Sequence, residues 1–434
     1  MSKKALIHTL GCRLNSADSA LLVNRLEQAG YTLVQDAPEL DLIVVNSCAV
    51  TAEAARKSRQ TVRKFRQSHP RATIIVTGCG AETDRQSFLQ DQAASVIITN
   101  PEKRKIIPLI MEYLQTHDTV NTGGRKNSLD ESIETFSEHA VSRFPFRSRA
   151  FIKIQEGCNN YCTYCIVPYT RGHERSRVFA ECLADCRQAA AAGFPEIVLT
   201  GVNTCAYNDN GRTLEELIRQ IAALDGDFRI RLSSTEPAPD NLKLLEVMAS
   251  EPKVCRFLHL ALQHGSDRIL QKMGRRYNRG LYADFVAGAR EMIPGIHIGS
   301  DLIVGFPGET DADFEDCCAF VEKMGFANLH IFTYSKRPGT PAAEMPGQVP
   351  GPVAQERYRR LKQIADRSHQ RFLAENIGKQ LPVIFERKDR DGFARGWSDN
   401  YIEIRRPAGE VRLNCIEPIV VRQEDLTGSQ DILA

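Results

Sequence analysis

Residues 157–168, GCNNYCTYCIVP, set Cys158, Cys162 and Cys165 in a C-x3-C-x2-C spacing directly behind the apolar run Phe151–Ile154. That run reads as a strand, so the three thiols fall in the loop that leaves it. A loop this compact can turn three thiolates toward one point, and no fourth cysteine lies nearby. Such a set suits an iron-sulfur cluster with one iron left open. A zinc site is the competing reading, although zinc favours paired C-x2-C knuckles and four ligands.

Toward the amino terminus three segments repeat one plan: ALIHTLGC (5–12), DLIVVNSC (41–48) and ATIIVTGC (72–79). Each is an apolar β-rich run (Ala5–Leu10, Asp41–Asn46, Ala72–Thr77) that ends just before a cysteine and is followed by a helix-like stretch. Strand-helix alternation implies a parallel sheet with right-handed crossovers. In such a sheet the strand ends share one edge, where open α/β folds bind ligands. Cys12, Cys48 and Cys79 are therefore expected to converge as a second three-thiol set. Three buried structural cysteines are the alternative. Cys182, Cys186, Cys255, Cys317, Cys318 and Cys415 read as core or surface residues, and Cys205 as a loop residue near the site.

From Phe151 the alternation resumes at Phe151–Ile154, Glu196–Thr200, Arg229–Ser233, Phe257–Leu262, Ile296–Val304 and Asn328–Thr333. Six βα units predict a complete or partial barrel. Residues 116–142 lose periodicity and read as a linker. After the break Pro346–Pro352 and the basic amphipathic stretch Gln355–Phe372, short strands are predicted at Leu381–Arg387, Tyr401–Arg405, Val411–Leu413 and Pro418–Arg422, a small antiparallel barrel. The expected architecture is thus α/β: a parallel α/β domain (2–115), the linker, a (βα)6 core (143–373) and a β-barrel (376–434).

Composition narrows the class. Of 434 residues 42% are hydrophobic and 25% charged, with a net charge of +2. These values are ordinary for a water-soluble protein and do not decide for or against a nucleic-acid partner. No window approaches a membrane span, and the first residues lack a signal-peptide core. A cytoplasmic location follows, where thirteen cysteines point to metal ligation or packing rather than disulfides.

With both triplets read, the chain resembles the methylthiotransferase branch of the radical S-adenosylmethionine (SAM) superfamily. The matching segments are TLGCRLN, NSCAVT and TGC in the first domain, EGCNNYCTYCIVPYTRGHERSR, HLALQHGSDRILQKMGRRY and DLIVGFPGET in the core, and GFARGWSDNYIEI in a terminal TRAM domain. The resemblance implies two 4Fe-4S clusters, on Cys158, Cys162 and Cys165 and on Cys12, Cys48 and Cys79. The first would donate one electron to SAM, giving methionine and a 5'-deoxyadenosyl radical. The second would carry sulfur that another SAM methylates. It further implies SAM contacts at Tyr164, at Gly201, Val202 and Asn203, at Gln263, and at Gly305, Gly308 and Glu309. His264 stands where many members have serine. His259, His297 and His330 fall in strand patterns and read as core histidines.

Members of this branch act on modified adenosines beside the tRNA anticodon or on a ribosomal-protein aspartate. TLGCRLN and NSCAVTAEAARKSRQ look most like the members that methylthiolate N6-threonylcarbamoyladenosine at position 37, rather than those acting on the isopentenyl form. The resemblance implies a tRNA partner, an electron donor such as flavodoxin or ferredoxin, no membrane, and a monomer. Arg56, Lys57, Arg59, Arg63, Lys64 and Arg66, with Arg171, Arg175 and Arg177, are the candidate phosphate-binding cations, against a solvated helix face. Phe393, Trp397 and Tyr401 could stack on bases or fill the small core. An iron-sulfur RNA-binding protein without turnover is the reading from another class.

Overall fold

The computed structural model describes residues 3–117, 119–122, 135–138, 148–237 and 242–426. The amino-terminal sheet has six parallel strands: β1 (Lys3–Thr9), β2 (Tyr31–Leu33), β3 (Leu42–Ser47), β4 (Thr73–Gly78), β5 (Val96–Ile97) and β6 (Val120–Asn121), in the order β2-β1-β3-β4-β5-β6. β3 and β4 are buried throughout, as their unbroken apolar runs require of a parallel sheet covered on both faces. Helix α1 (Arg13–Gln28) covers one face through Leu22 and Leu26, and α2 (Ala52–Ser68) the other through Val62. Asn46 pairs with both Thr9 and Thr77, so β1, β3 and β4 end level with one another. Within the span read as a linker, Val120–Asn121 forms the edge strand of this sheet and Thr135–Phe136 forms β7; residues 123–134 and 139–142 of that span lie outside the described residues.

The central part contains β8 (Arg149–Lys153), β9 (Gln155–Glu156), β10 (Arg175–Arg177), β11 (Glu196–Thr200), β12 (Asn208–Asp209), β13 (Arg212–Thr213), β14 (Arg229–Leu232), β15 (Ser234–Thr235), β16 (Phe257–Leu260), β17 (His297–Val304) and β18 (Asn328–Thr333). Two parallel sheets result, β14-β11-β8 and β15-β16-β17-β18, linked by a bridge between Ile230 and Val254. One continuous core under the surrounding helices joins them, including Leu199, Leu232, Leu258, Leu302 and Val304. The cysteines read as packing residues behave so: Cys182, Cys186, Cys317 and Cys318 belong to this core.

The carboxy-terminal part is an antiparallel sheet, β21-β20-β19-β22, of β19 (Gln380–Lys388), β20 (Phe393–Ser398), β21 (Glu403–Pro407) and β22 (Ile416–Val420). Two expectations fail here. Val411–Leu413 is not a strand and gives only a bridge from Leu413 to Phe385. β20 was not foreseen, because Gly396 interrupts its β pattern. That glycine is required: a Cβ there would come within 2.7 Å of the Ile384 carbonyl and 2.8 Å of the Phe385 ring, the close approach that glycine permits in a strand.

A buried ion network ties this sheet to the core. The Glu196 carboxylate meets Arg229 at 2.6 Å, Arg231 at 3.0 Å and Arg149 at 3.4 Å. The same arginines donate onward to backbone carbonyls of the terminal part, Arg229 to Pro382 and Trp397, Arg231 to Ser398 and Asp399. Tyr401 stacks between Phe257 and Trp397, both at 4.7 Å. Trp397 and Tyr401 are thus part of the joint between the terminal sheet and the central core. Burial alone would raise the Glu196 carboxyl, but Arg231, Arg229 and Arg149 hold it well below its ordinary value. Its stabilisation is therefore complete above about pH 4.3 and is lost as pH falls further. Glu196→Gln should cost about 3 kcal/mol at neutral pH and flatten the acid limb of a plot of melting temperature against pH; an unchanged acid limb would contradict this assignment.

Candidate functional site

The level strand ends deliver the first triplet. Cys12 is the residue before α1, Cys48 follows β3, and Cys79 opens the short helix Cys79–Thr83 after β4. Cys48 and Cys79 are buried and Cys12 exposed. Gly11, at φ +93°, lies against Cys48 so closely that a Cβ would sit 2.8 Å from its Sγ. Asn15 of α1 donates to the carbonyls of Leu10 and Ser47, and Asn46 donates to the Asn15 carbonyl, tying the loops together. Burial pushes the Cys48 thiol up to about 12, and the neighbouring Cys79 and Cys12 push the same way.

The second triplet sits on the loop after β9. Gly157, at φ +75°, passes the backbone of His173 where any Cβ would overlap its carbonyl. The Asn160 N–H points to Cys158 Sγ at 3.4 Å, and Arg275 Nη1 donates to Cys162 Sγ at 3.2 Å. Thr163 clamps the loop by bonds to the Met273 and Lys272 carbonyls and from the Ala342 N–H. Burial raises Cys158 to about 11 and Cys165 to about 12. Thiols so reluctant to ionise become ligands when a metal's charge compensates the thiolate.

The spacing bears on which metal fits. Among the described residues, the group of three ligand atoms all within 4.8 Å of one another is His259, Asp301 and His330; neither cysteine triplet is drawn that tight. One zinc at about 2.3 Å from each sulfur would hold them about 3.8 Å apart. Three thiolates brought together without a fourth suit a cluster of several irons with one iron open.

Arg171 stands between the triplets. It is buried, it lies electrostatically against Cys79 and Cys12, and the next residue, Gly172, accepts the Cys158 N–H. Its guanidinium donates to Asn15 at 2.6 Å, to Asp18 at 3.3 Å and to Glu156 at 2.9 Å. Asp18 also takes Lys103 at 2.6 Å and Lys153 at 2.9 Å. Burial alone would raise the Asp18 carboxyl, yet these three cations hold it far below its usual value.

The other expected contacts are distributed unevenly. Tyr164 packs with Met273, Phe306 and Ala342 and so joins the cysteine loop to the GFPGE turn. The N–H groups of Val202 and Asn203 donate to Gln155 Oε1, and Gly201 leaves room for that side chain. Gln155, which also donates to the Gly157 carbonyl, went unnoticed in sequence because a buried glutamine in a strand carries no pattern. Gln263 adopts φ +68° and bridges β17 by backbone bonds to Asp301 and Ile303. Gly305 and Gly308 lie where a Cβ would meet Ala354 and Lys272 at 2.7 and 2.5 Å. Glu309 turns inward: its carboxylate accepts the Gly305 and Phe306 N–H groups and faces His264 and Arg357. It shapes the turn rather than projecting a free carboxylate.

The expected phosphate-binding cations are mostly engaged. Arg56 pairs with Glu53, Arg59 with Asp84 and Arg63 with Asp91, while Arg66 binds backbone carbonyls. Arg171 and Arg177 are buried, the latter against Asp185 at 2.8 Å. A cavity of about 1230 Å³ lies elsewhere, lined from three sides by residues such as Ser16, Phe151 and Trp397.

Residues 4–99 match the uncharacterized protein family UPF0004 and residues 152–321 the Radical SAM superfamily. The chain is 36% identical to a threonylcarbamoyladenosine tRNA methylthiotransferase MtaB of Chlamydia pneumoniae, over 96% of each chain. It is also 36% identical to a tRNA-2-methylthio-N(6)-dimethylallyladenosine synthase of Cereibacter sphaeroides, over 90% of this chain and 88% of that one. The radical S-adenosylmethionine methyltransferase TsrM of Kitasatospora setae shares the fold at a TM-score of 0.58, 15% identity, and 79% and 77% coverage. The chain belongs to the radical SAM methylthiotransferase family.

Removing Asp18 strips the buried Lys103 of its ion pair and takes one of two or more counter-charges from Lys153 and Arg171, which keep Glu156. Asp18→Asn should destabilise the protein by about 3–5 kcal/mol, read as a lower urea midpoint; a Lys103→Met partner substitution should recover part of the loss.

Proposed function

We propose that this chain is a tRNA methylthiotransferase that converts N6-threonylcarbamoyladenosine at position 37, beside the anticodon, into its 2-methylthio derivative. One 4Fe-4S cluster would sit on Cys158, Cys162 and Cys165, a second on Cys12, Cys48 and Cys79, with two SAM molecules used per turnover. The observation that carries the reading is the pair of three-thiol loops, built by different parts of the fold and flanking one buried arginine. Both named relatives act on tRNA adenosines by their names; the greater coverage of the threonylcarbamoyl relative and the TLGCRLN and NSCAVT segments favour that substrate.

When bound, the clusters supply the electron that cleaves SAM reductively and the sulfur that is transferred. The chain's own residues do the positioning. Arg171 and Asp18 fix the two cysteine loops relative to each other, Arg275 donates to Cys162, and Gln155 holds the turn of Val202 and Asn203 beside the cysteine loop. The turn that carries Gly305 and Gly308, with Gln263, would lie against SAM next to Tyr164.

The domain plan that goes with this reading is a methylthiotransferase domain at 2–115, a connection at 116–142, a radical SAM core at 143–373 and a TRAM domain at 376–434. We take the two central parallel sheets as one partial (βα)6 barrel with its strands in sequence order, and the terminal antiparallel sheet as the TRAM barrel. A cytoplasmic monomer served by flavodoxin or ferredoxin completes the picture; among the described residues no helix is long and apolar enough to cross a membrane.

Anaerobically reconstituted protein should hold about eight irons per chain, and Cys12→Ala or Cys158→Ala about four. Given SAM, sulfide and reductant it should convert threonylcarbamoyladenosine in tRNA to the methylthio form, seen by nucleoside mass spectrometry. Reaction of isopentenyl-bearing tRNA alone would sink the substrate assignment.

A further inference from the structure

Three adjacent strands carry a polar group that the mechanism above leaves unused. His259 on β16, Asp301 on β17 and His330 on β18 lie side by side, Asp301 pairing directly with His330 across the strands. His259 Nε2 is 3.0 Å from one Asp301 carboxylate oxygen, and His330 Nδ1 is 3.1 Å from the other. The imidazoles stack at 5.5 Å with 27° between planes. Asn328 reaches His330 Nε2 at 3.3 Å. Burial alone would raise the Asp301 carboxyl, yet both histidines hold it well below its ordinary value.

The group is not part of the core, as the sequence pattern suggested for these histidines. Side chains alternate across a strand. Leu258, Leu260, Leu302 and Val304 enter the core beneath the helices, so His259 and Asp301 face the opposite, inner side. Below them on that side, Phe257 is covered by Tyr401. One pleat above Asp301, Ile303 packs in the cluster that includes Phe306 and Tyr164, beside Cys165. One pleat above His330, Phe332 is 41% exposed. On the other sheet Phe151 and Val198 pack with Ala17 of α1. The Asp301 and His330 side chains remain 30% and 22% accessible. A charged, hydrogen-bonded group thus lines an open inner wall just below the cysteine loop and the SAM turn.

We propose that His259, Asp301 and His330 form the subsite that hydrogen-bonds the N6 substituent of the substrate adenosine and selects a polar substituent over a hydrocarbon one. This rests on the reading of the chain as a tRNA methylthiotransferase. A threonylcarbamoyl group offers urea N–H donors, a hydroxyl and a carboxylate. Asp301 accepts the donors with the lone pairs that the two imidazole N–H groups leave open, and the Asn328 amide, held by His330 Nε2, donates its other N–H to the oxygens. A dimethylallyl group offers only carbon, so its entry strips water from the group without replacing a hydrogen bond. Sites built to bind a polar substituent discriminate strongly for that reason.

The test uses holoenzyme and one tRNA in three forms: with threonylcarbamoyladenosine, with isopentenyladenosine, and unmodified at that position. Wild-type protein should bind the threonylcarbamoyl form at least about tenfold more tightly than the other two. His330→Leu should erase that preference and raise the relative affinity for the isopentenyl form, a gain that misfolding cannot produce. His330→Gln should keep most of the preference. Turnover should show the loss mainly in KM. A His330→Leu or Asp301→Asn protein that keeps the wild-type ratio overturns the proposal. So does about one zinc, manganese or iron per chain beyond the clusters that His330→Leu loses, because the group is then a metal centre. Wild-type protein that methylthiolates isopentenyl-bearing tRNA alone overturns the substrate reading itself.

Discussion

The carboxylate of Asp18, buried with Lys103, Lys153 and Arg171 around it, is the constraint on which the arrangement of the two cysteine loops depends. Charges removed from water are costly unless each finds its partner in good geometry. Here the partners come from two parts of the chain: Asp18 and Lys103 from the amino-terminal sheet and its helices, Lys153 and Arg171 from the segment that carries the second cysteine loop. Only one docking satisfies all of them. An apolar joint could slide by a pleat or a helical turn, whereas this one cannot do so without stranding a charge. The same network includes Asn15 and Glu156, each three residues or fewer from a cysteine of one triplet. Rigidity is therefore delivered where two cofactors would have to cooperate.

The carboxy-terminal joint repeats the solution, again one buried carboxylate holding three cations, here all arginines. Helix α1 links the two joints. Its Asp18 enters the first, and its Arg13 lies over the rings of Phe257 and Tyr401 at the second. Between them Ala17 packs on Phe151 and Val198 of the core. One helix thus touches all three parts of the chain, and its start, Cys12, belongs to a cysteine loop.

These joints also consume the cations that looked available for RNA. Arg171 and Arg177 serve buried carboxylates, and three of the arginines on α2 neutralise local acids. A run of basic residues in a sequence says nothing about whether its charges are already paired. Phosphate binding by a near-neutral protein has to come from cations left over after folding, and α2 leaves fewer than its six suggest.

Much of the site was legible in the sequence because its signals are local. A cysteine placed just past an apolar run lands at a strand end whatever else the fold does, and parallel strands put their ends on one edge. The C-x3-C-x2-C loop needs no distant partner to be read. What the sequence could not carry was pairing between residues far apart along the chain. Asp18 meets residues 85 to 153 positions away, Gln155 meets the turn after β11, and His259, Asp301 and His330 meet only because three strands lie in register. Such contacts depend on docking and register, set by desolvation and packing over the whole molecule, and single-segment periodicity holds no trace of them. The sequence by itself determined the two thiol loops and the α/β plan; the tertiary structure alone decided which charges are buried together and which polar side chains face the open inner wall.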